Sequence, residues 1–235
     1  GEVVVGGRTA TATAGKDDGW LLRLKTDGTV VWEKRRGGVG KDAILAVSVL
    51  ASGDIATTGY TEVSNKDRVE VVAWSATGAV NWSLTYGSTK TGEEGRGVAE
   101  TVDGALVVSG TARAASGDRD ALVLMTSASG KQLWAKLFGK ANRDDRGHGV
   151  WTGGTSAIVV GEHEVSVGNK KAWIAAVRLS DGALLWERHH GSGGSNQTRA
   201  LGLAPIKTGF VLTGDVRSTT SNPASIWWTR VDSAG

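Results

Sequence analysis

Three arginines, Arg96, Arg146 and Arg199, stand in short polar runs that also carry carboxylates or amides. The runs are Glu93-Glu94-Gly95-Arg96, Asp144-Asp145-Arg146-Gly147-His148 and Asn196-Gln197-Thr198-Arg199. A guanidinium presents a planar fork of donors, so several converging on one opening would grip an anionic or polyhydroxyl ligand bidentately. The same residue types suit a plainer purpose, an arginine–carboxylate belt that ties neighbouring elements together. His148, close to Asp144 and Asp145, has the neighbours for acid–base work or metal ligation. The candidate ligand- or partner-binding residues are Glu93, Glu94, Arg96, Asp144, Asp145, Arg146, His148, Trp151 and Arg199, and the Trp227-Trp228 pair offers a further aromatic surface.

Other chemistry finds little support. With Cys 0, a thiol nucleophile, a disulfide scaffold and Cys-ligated zinc are all excluded. His189 and His190 are adjacent on an extended segment, so their side chains face opposite ways and cannot close on one ion. His148 and His163 read as solvated or capping residues, and no metal is expected. Lys16-Asp17-Asp18 and Gly117-Asp118-Arg119-Asp120 lack the spacing of a calcium loop. Gly147-His148-Gly149 opens a strand where a phosphate loop needs a helix. No catalytic or cofactor-binding residue is therefore expected, and no cofactor. Lys+Arg 27 against Asp+Glu 24 leaves +3, too small an excess to argue for nucleic acid. No run approaches the roughly 18 apolar residues of a membrane span, and Gly1–Gly6 does not read as a signal peptide.

The elements that must position these residues repeat along the chain. Four segments read G-x3-W-x4-G, with tryptophans at Trp32, Trp82, Trp134 and Trp186, spaced by 50, 52 and 52 residues. A second glycine landmark, at Gly7, Gly59, Gly110, Gly161 and Gly214, follows an apolar run each time and keeps the same phase. Each period holds four short apolar or alternating runs; in the second they are 43–50, 54–62, 69–75 and 79–86. Turn pairs such as Asp27-Gly28, Ser129-Gly130 and Asp181-Gly182 close short hairpins. Longer polar loops are expected between the second and third strands, and between the fourth strand and the next first strand. An all-β propeller of four-stranded antiparallel blades follows, about five blades in one domain over residues 1–235. The four tryptophans then have a structural task, filling the gap to a neighbouring blade.

Leu24–Trp32 and Leu179–Trp186 resemble the tryptophan-docking repeat of PQQ-like propellers, and the whole period is similar to bacterial delta-60-type repeats. The resemblance implies an extracytoplasmic or cell-surface bacterial setting. Three functions are weighed. The first is a non-catalytic scaffold that binds a protein or another macromolecule through its long-loop face. The second is a carbohydrate-binding propeller, with a glycan as ligand. The third is a quinoprotein-like oxidoreductase, which lacks the adjacent-cysteine disulfide of that family. The strand count is uneven: the first period has no innermost strand and the last no outer one. The expected partner is therefore a protein, or further chain that completes the ring, whether from a longer propeller or from another molecule.

Overall fold

The computed structural model describes residues 1–10, 16–87, 92–191, 196–218 and 224–235. Eighteen strands lie within them, in five antiparallel sheets, and no helix is long and apolar enough to cross a membrane. The first sheet holds β1 (Glu2–Ala10), β2 (Asp17–Lys25) and β3 (Val30–Arg36). The second runs β4 (Asp42–Val49), β5 (Ile55–Val63), β6 (Lys66–Trp74) and β7 (Val80–Tyr86). The third is β8 (Glu94–Glu100), β9 (Leu106–Arg113), β10 (Arg119–Thr126) and β11 (Gln132–Phe138). The fourth is β12 (Arg146–Gly153), β13 (Ser156–Ser166), β14 (Asn169–Arg178) and β15 (Leu184–His190). The fifth has β16 (Asn196–Ile206), β17 (Gly209–Ser218) and β18 (Ser225–Asp232). Strands are paired in sequence order within each sheet, the up-and-down blade of a propeller.

Each sheet packs face to face on the next in sequence, and among the described residues no such packing joins the first sheet to the last. The inner strands are apolar on both faces because both faces are covered: Val107, Val108, Leu122, Val123 and Leu124 are fully buried, as are Val159, Val160, Ala175 and Ile174. The outer strands mix exposed and half-buried residues, and β3 and β7 alternate them along most of their length, as one-sided strands do.

The tryptophan motif is a latch between blades. The indole N–H of Trp32 donates to the Ala76 carbonyl at 3.1 Å, that of Trp82 to Ala128 at 2.8 Å and that of Trp134 to Leu179 at 2.8 Å. Each acceptor lies in the hairpin of the following blade that carries its own motif glycine. Gly78, Gly130 and Gly182 sit at φ +80, +84 and +72, and a Cβ on any of them would run into the preceding tryptophan, 3.3, 2.5 and 2.8 Å from ring carbon. Glycine is required there twice over, by the left-handed backbone and by the ring above it.

The expected long loop between second and third strands holds for 114–118 in the third blade and is corrected in two others. The turn between β5 and β6 is only Ser64-Asn65, both at positive φ, and that between β13 and β14 is Val167-Gly168. A two-residue turn with left-handed residues matches strand twist, so these second-to-third connections are as tight as those on the opposite side of the disc.

Candidate functional site

The four innermost strands present in this chain share one irregularity. Pairing with the second strand skips a residue between Ile44 and Ala46, Gly95 and Gly97, Gly147 and Gly149, and Ala200 and Gly202. The bulged residues are Leu45, Arg96, His148 and Leu201, and together they line one cavity of about 230 Å³ on the inner side of the blades. A bulge adds a residue without a ladder partner and re-aims its side chain, which is how one position per blade comes to face the axis. Their similar polar runs make Arg96, Arg146 and Arg199 read as equivalent positions in the sequence, and the bulges correct that reading. Arg146 and Arg199 do correspond, each two residues before its bulge, but Arg96 occupies the bulge itself and corresponds to His148.

His148 is not the solvated residue expected from sequence: it is 6% exposed, and its Nε2 is buried without a hydrogen-bond partner. Burial, with Arg96, Arg199 and Arg146 around it, holds the imidazole down at about 3, so it is uncharged at neutral pH. Arg96 chelates its own neighbour, with Nε and Nη2 on Glu94 Oε1 at 3.0 and 2.6 Å. Arg146 and Arg199 enter the belt anticipated as the plainer alternative. Glu162, only 1% exposed, receives Lys170 at 3.1 Å, Arg146 at 3.4 Å and Arg199 at 3.8 Å. Arg199 also grips Asp215 through Nε at 2.8 Å, and that contact holds the Asp215 carboxyl below its ordinary range. Arg199 therefore bridges the fourth and fifth blades.

The remaining candidates lie away from the axis. Asp145 is buried beneath the crossover from the third to the fourth blade, where it accepts the backbone N–H of Lys140 at 3.0 Å and of Glu164 at 2.7 Å. Asp42 does the same two crossovers earlier, accepting from Gly38 at 3.0 Å. Glu93, 1% exposed, fills that position below Gly87. Asp144 accepts from the Arg119 N–H at 3.1 Å and donates its own to Glu164. Trp151 packs edge-on to Phe210 at 5.2 Å, in the core between the fourth and fifth blades. Of the nine candidates the structure gathers Glu94, Arg96, Arg146, His148 and Arg199, and sends Glu93, Asp144, Asp145 and Trp151 to crossover and core.

Sequence reasoning passed over Leu45, Leu201, Glu162 and Asp215. The two acids had a signal, since each directly follows a landmark glycine, Gly161 or Gly214. His163, expected to be solvated or capping, is corrected too: it is 9% exposed, and its Nδ1 lies 3.2 Å from His189 Nε2 and 3.9 Å from Glu187 Oε2. Burial pushes His163 down to about 3 and lowers His189 as well.

A family model described as outer membrane protein assembly factor BamB, PQQ_2, matches residues 2–152. No curated protein matches the chain. Solved structures that share the fold include the quinohemoprotein alcohol dehydrogenase ADHIIG of Pseudomonas putida, 16% identical with TM-score 0.54 over 92% of this chain and 38% of that one. The quinohemoprotein alcohol dehydrogenase of Comamonas testosteroni is 14% identical, TM-score 0.57, over 95% and 42%. An exo-β-1,3-galactanase of Clostridium thermocellum is 12% identical, TM-score 0.52, over 100% and 58%. The chain thus spans less than two thirds of each. The expectation of a non-catalytic scaffold is corrected by these findings: the repeat family and the quinohemoprotein neighbours favour the quinoprotein-like propeller that had been placed last.

Proposed function

The chain belongs to the PQQ_2 repeat family, and from that premise we propose that it forms an arc of a quinoprotein-like propeller whose axial mouth binds a carboxylate-bearing ligand of the quinone-acid class. The observation that carries this reading is the row of bulged residues. Two of the four bring Arg96 and His148, whose buried Nε2 has no hydrogen-bond partner, to one cavity with apolar walls from Leu45 and Leu201. A guanidinium beside apolar surface suits a planar acid: the charge meets the carboxylate and the flat ring lies on the leucines.

The donor set matches the acid and does not match a calcium ion beside it. Among the described residues the one group of three or more metal-ligating side chains lies elsewhere, between blades. No redox step is derived for this chain. Any oxidoreductase chemistry would belong to an assembly larger than this chain, which spans 38% and 42% of the two dehydrogenase chains. The test is titration with pyrroloquinoline quinone, read by tryptophan quenching, alongside Arg96→Leu. Loss of one charge-assisted contact should weaken binding about 10- to 100-fold. Absence of binding, or equal binding by the variant, overturns the reading.

A second part of the proposal concerns the ring. Ile226 and Trp228, 90% and 67% exposed, stand in the fifth blade where the fourth has Ala172 and Ile174, both fully buried by the following blade. On the first blade, Val3 and Val5 are likewise exposed at 48% and 37%. We infer that further blades, from this protein or a partner chain, cover both faces. The family description, an assembly factor, accords with a protein that works against other proteins. With both apolar faces uncovered, the 235-residue chain by itself should associate in light scattering and the Ile226→Arg, Trp228→Arg double variant should not; a 235-residue chain that stays monomeric at all concentrations refutes it.

A further inference from the structure

Outside the axial site, one cluster of side chains has a donor set that the fold alone does not call for. It lies in the cleft between the third and fourth blades, a cavity of about 200 Å³. His163 projects from β13, and Glu187 and His189 from β15; the strand between them, β14, contributes Trp173. Register explains the meeting. Trp173 stands opposite Gly161 on one side and His189 on the other, so residues two apart on the flanking strands share its face.

We propose that His163, Glu187 and His189 form a binding site for a divalent first-row metal ion of the zinc class. Their ligand atoms all lie within 4.8 Å of one another, with the two imidazole nitrogens 3.2 Å apart. Ligands about 2.1 Å from a tetrahedral ion stand roughly 3.4 Å from each other, so the imidazole pair is close to ready-made. Glu187, at 3.9 Å from His163 Nδ1, must close by about half an ångström. Both rings bind as neutral tautomers with the N–H on the far nitrogen, so no proton is lost. Two nitrogens and a carboxylate select zinc and its neighbours over calcium or magnesium, which take oxygen.

The surrounding groups hold these ligands in place. The Trp173 indole stacks on the His163 ring at 4.2 Å and 14°, and its N–H donates to Glu187 Oε2 at 2.8 Å. Outer contacts of this kind orient metal-binding carboxylates and imidazoles. Asp145 and Glu164 also line the cleft, against a single ammonium from Lys140, so carboxylates outnumber cations.

The first blade supplies an internal comparison. There Trp20 takes the place of Trp173, and its indole N–H donates to Glu33 at 2.9 Å. In that blade Arg35 stands where His189 does and neutralises Glu33 at 3.2 Å, while Thr9 stands where His163 does. The fourth blade keeps the tryptophan–glutamate pair and exchanges the arginine and threonine for two imidazoles. An ion pair has been replaced by a ligand set.

The experiment is calorimetric titration of the protein with Zn²⁺ alone, with Co²⁺ as a spectroscopic probe. One equivalent should bind, and Co²⁺ should give the visible bands of a tetrahedral site with nitrogen donors. His189→Ala, at an exposed side chain, should keep the metal-free melting temperature and weaken Zn²⁺ binding about 100-fold. Glu187→Gln, which still accepts from Trp173, should weaken it about 10-fold. His190→Ala, whose ring faces away, should leave the affinity unchanged. Absence of a bound equivalent, or affinity undiminished in His189→Ala, overturns the proposal.

Discussion

Gly28 and Gly130 occupy the same place in the motif and nearly the same conformation, φ +85 and +84, yet their surroundings differ. A Cβ on Gly28 would meet nothing within 4 Å, whereas on Gly130 it would lie 2.5 Å from Cδ2 and Cε3 of Trp82. Alanine at either site carries the left-handed backbone cost, about 1–2 kcal/mol. Gly130→Ala must also displace an indole held by its hydrogen bond to Ala128, and overpacking of that kind costs a further 1–3 kcal/mol or so. Urea denaturation followed by far-ultraviolet circular dichroism should thus show Gly28→Ala destabilised by about 1–2 kcal/mol and Gly130→Ala by about 2–5 kcal/mol. A double variant completes the cycle: with Trp82→Ala in place, Gly130→Ala should cost no more than Gly28→Ala. If Gly28→Ala and Gly130→Ala are equally destabilised in the parent protein, the glycine does not serve the latch and the reasoning fails.

Three further outcomes are expected. Asp145→Ala leaves the N–H groups of Lys140 and Glu164 without their acceptor and should cost about 2–4 kcal/mol, measured by the same denaturation. Glu162→Gln removes the charge facing Lys170, Arg146 and Arg199, and should cost roughly 3–5 kcal/mol, the range for breaking a buried pair. The His148 pKa is depressed to about 3 by folding, so between its unfolded value near 6.5 and that point the unfolded chain holds the extra proton, and stability falls as the pH falls. At pH 4 the loss from this group is on the order of 3 kcal/mol, and a pH series on His148→Leu should lack that component; parallel curves for variant and parent would refute the burial argument.

The architecture was legible because its signals recur. Two glycine and tryptophan landmarks in phase are enough to locate the blades, and alternation locates the strands. What escaped was any feature that depends on a single insertion or on neighbours distant in sequence. A bulge adds one residue with no local mark, so Arg96 reads as the counterpart of Arg146 although it faces the axis beside His148. Glu93 and Asp145 look like loop charges because nothing in their own segments shows that the crossover folds over them. His163 and His189 are separated by a whole strand and a hairpin, and only the pairing of β14 with both its neighbours brings them together. The tight Ser64-Asn65 turn was missed for a smaller reason: asparagine and serine adopt positive φ without the glycine that announces it.

The latch has a direction. Each of the three middle blades offers an indole forward and receives one from behind, and the receiving glycine belongs to the same motif as the offered tryptophan. A segment cut between equivalent points of two neighbouring blades therefore carries one complete plug and one complete socket. Gene duplication or loss of such a unit joins matching halves, so the array grows or shrinks by whole blades with every seam intact.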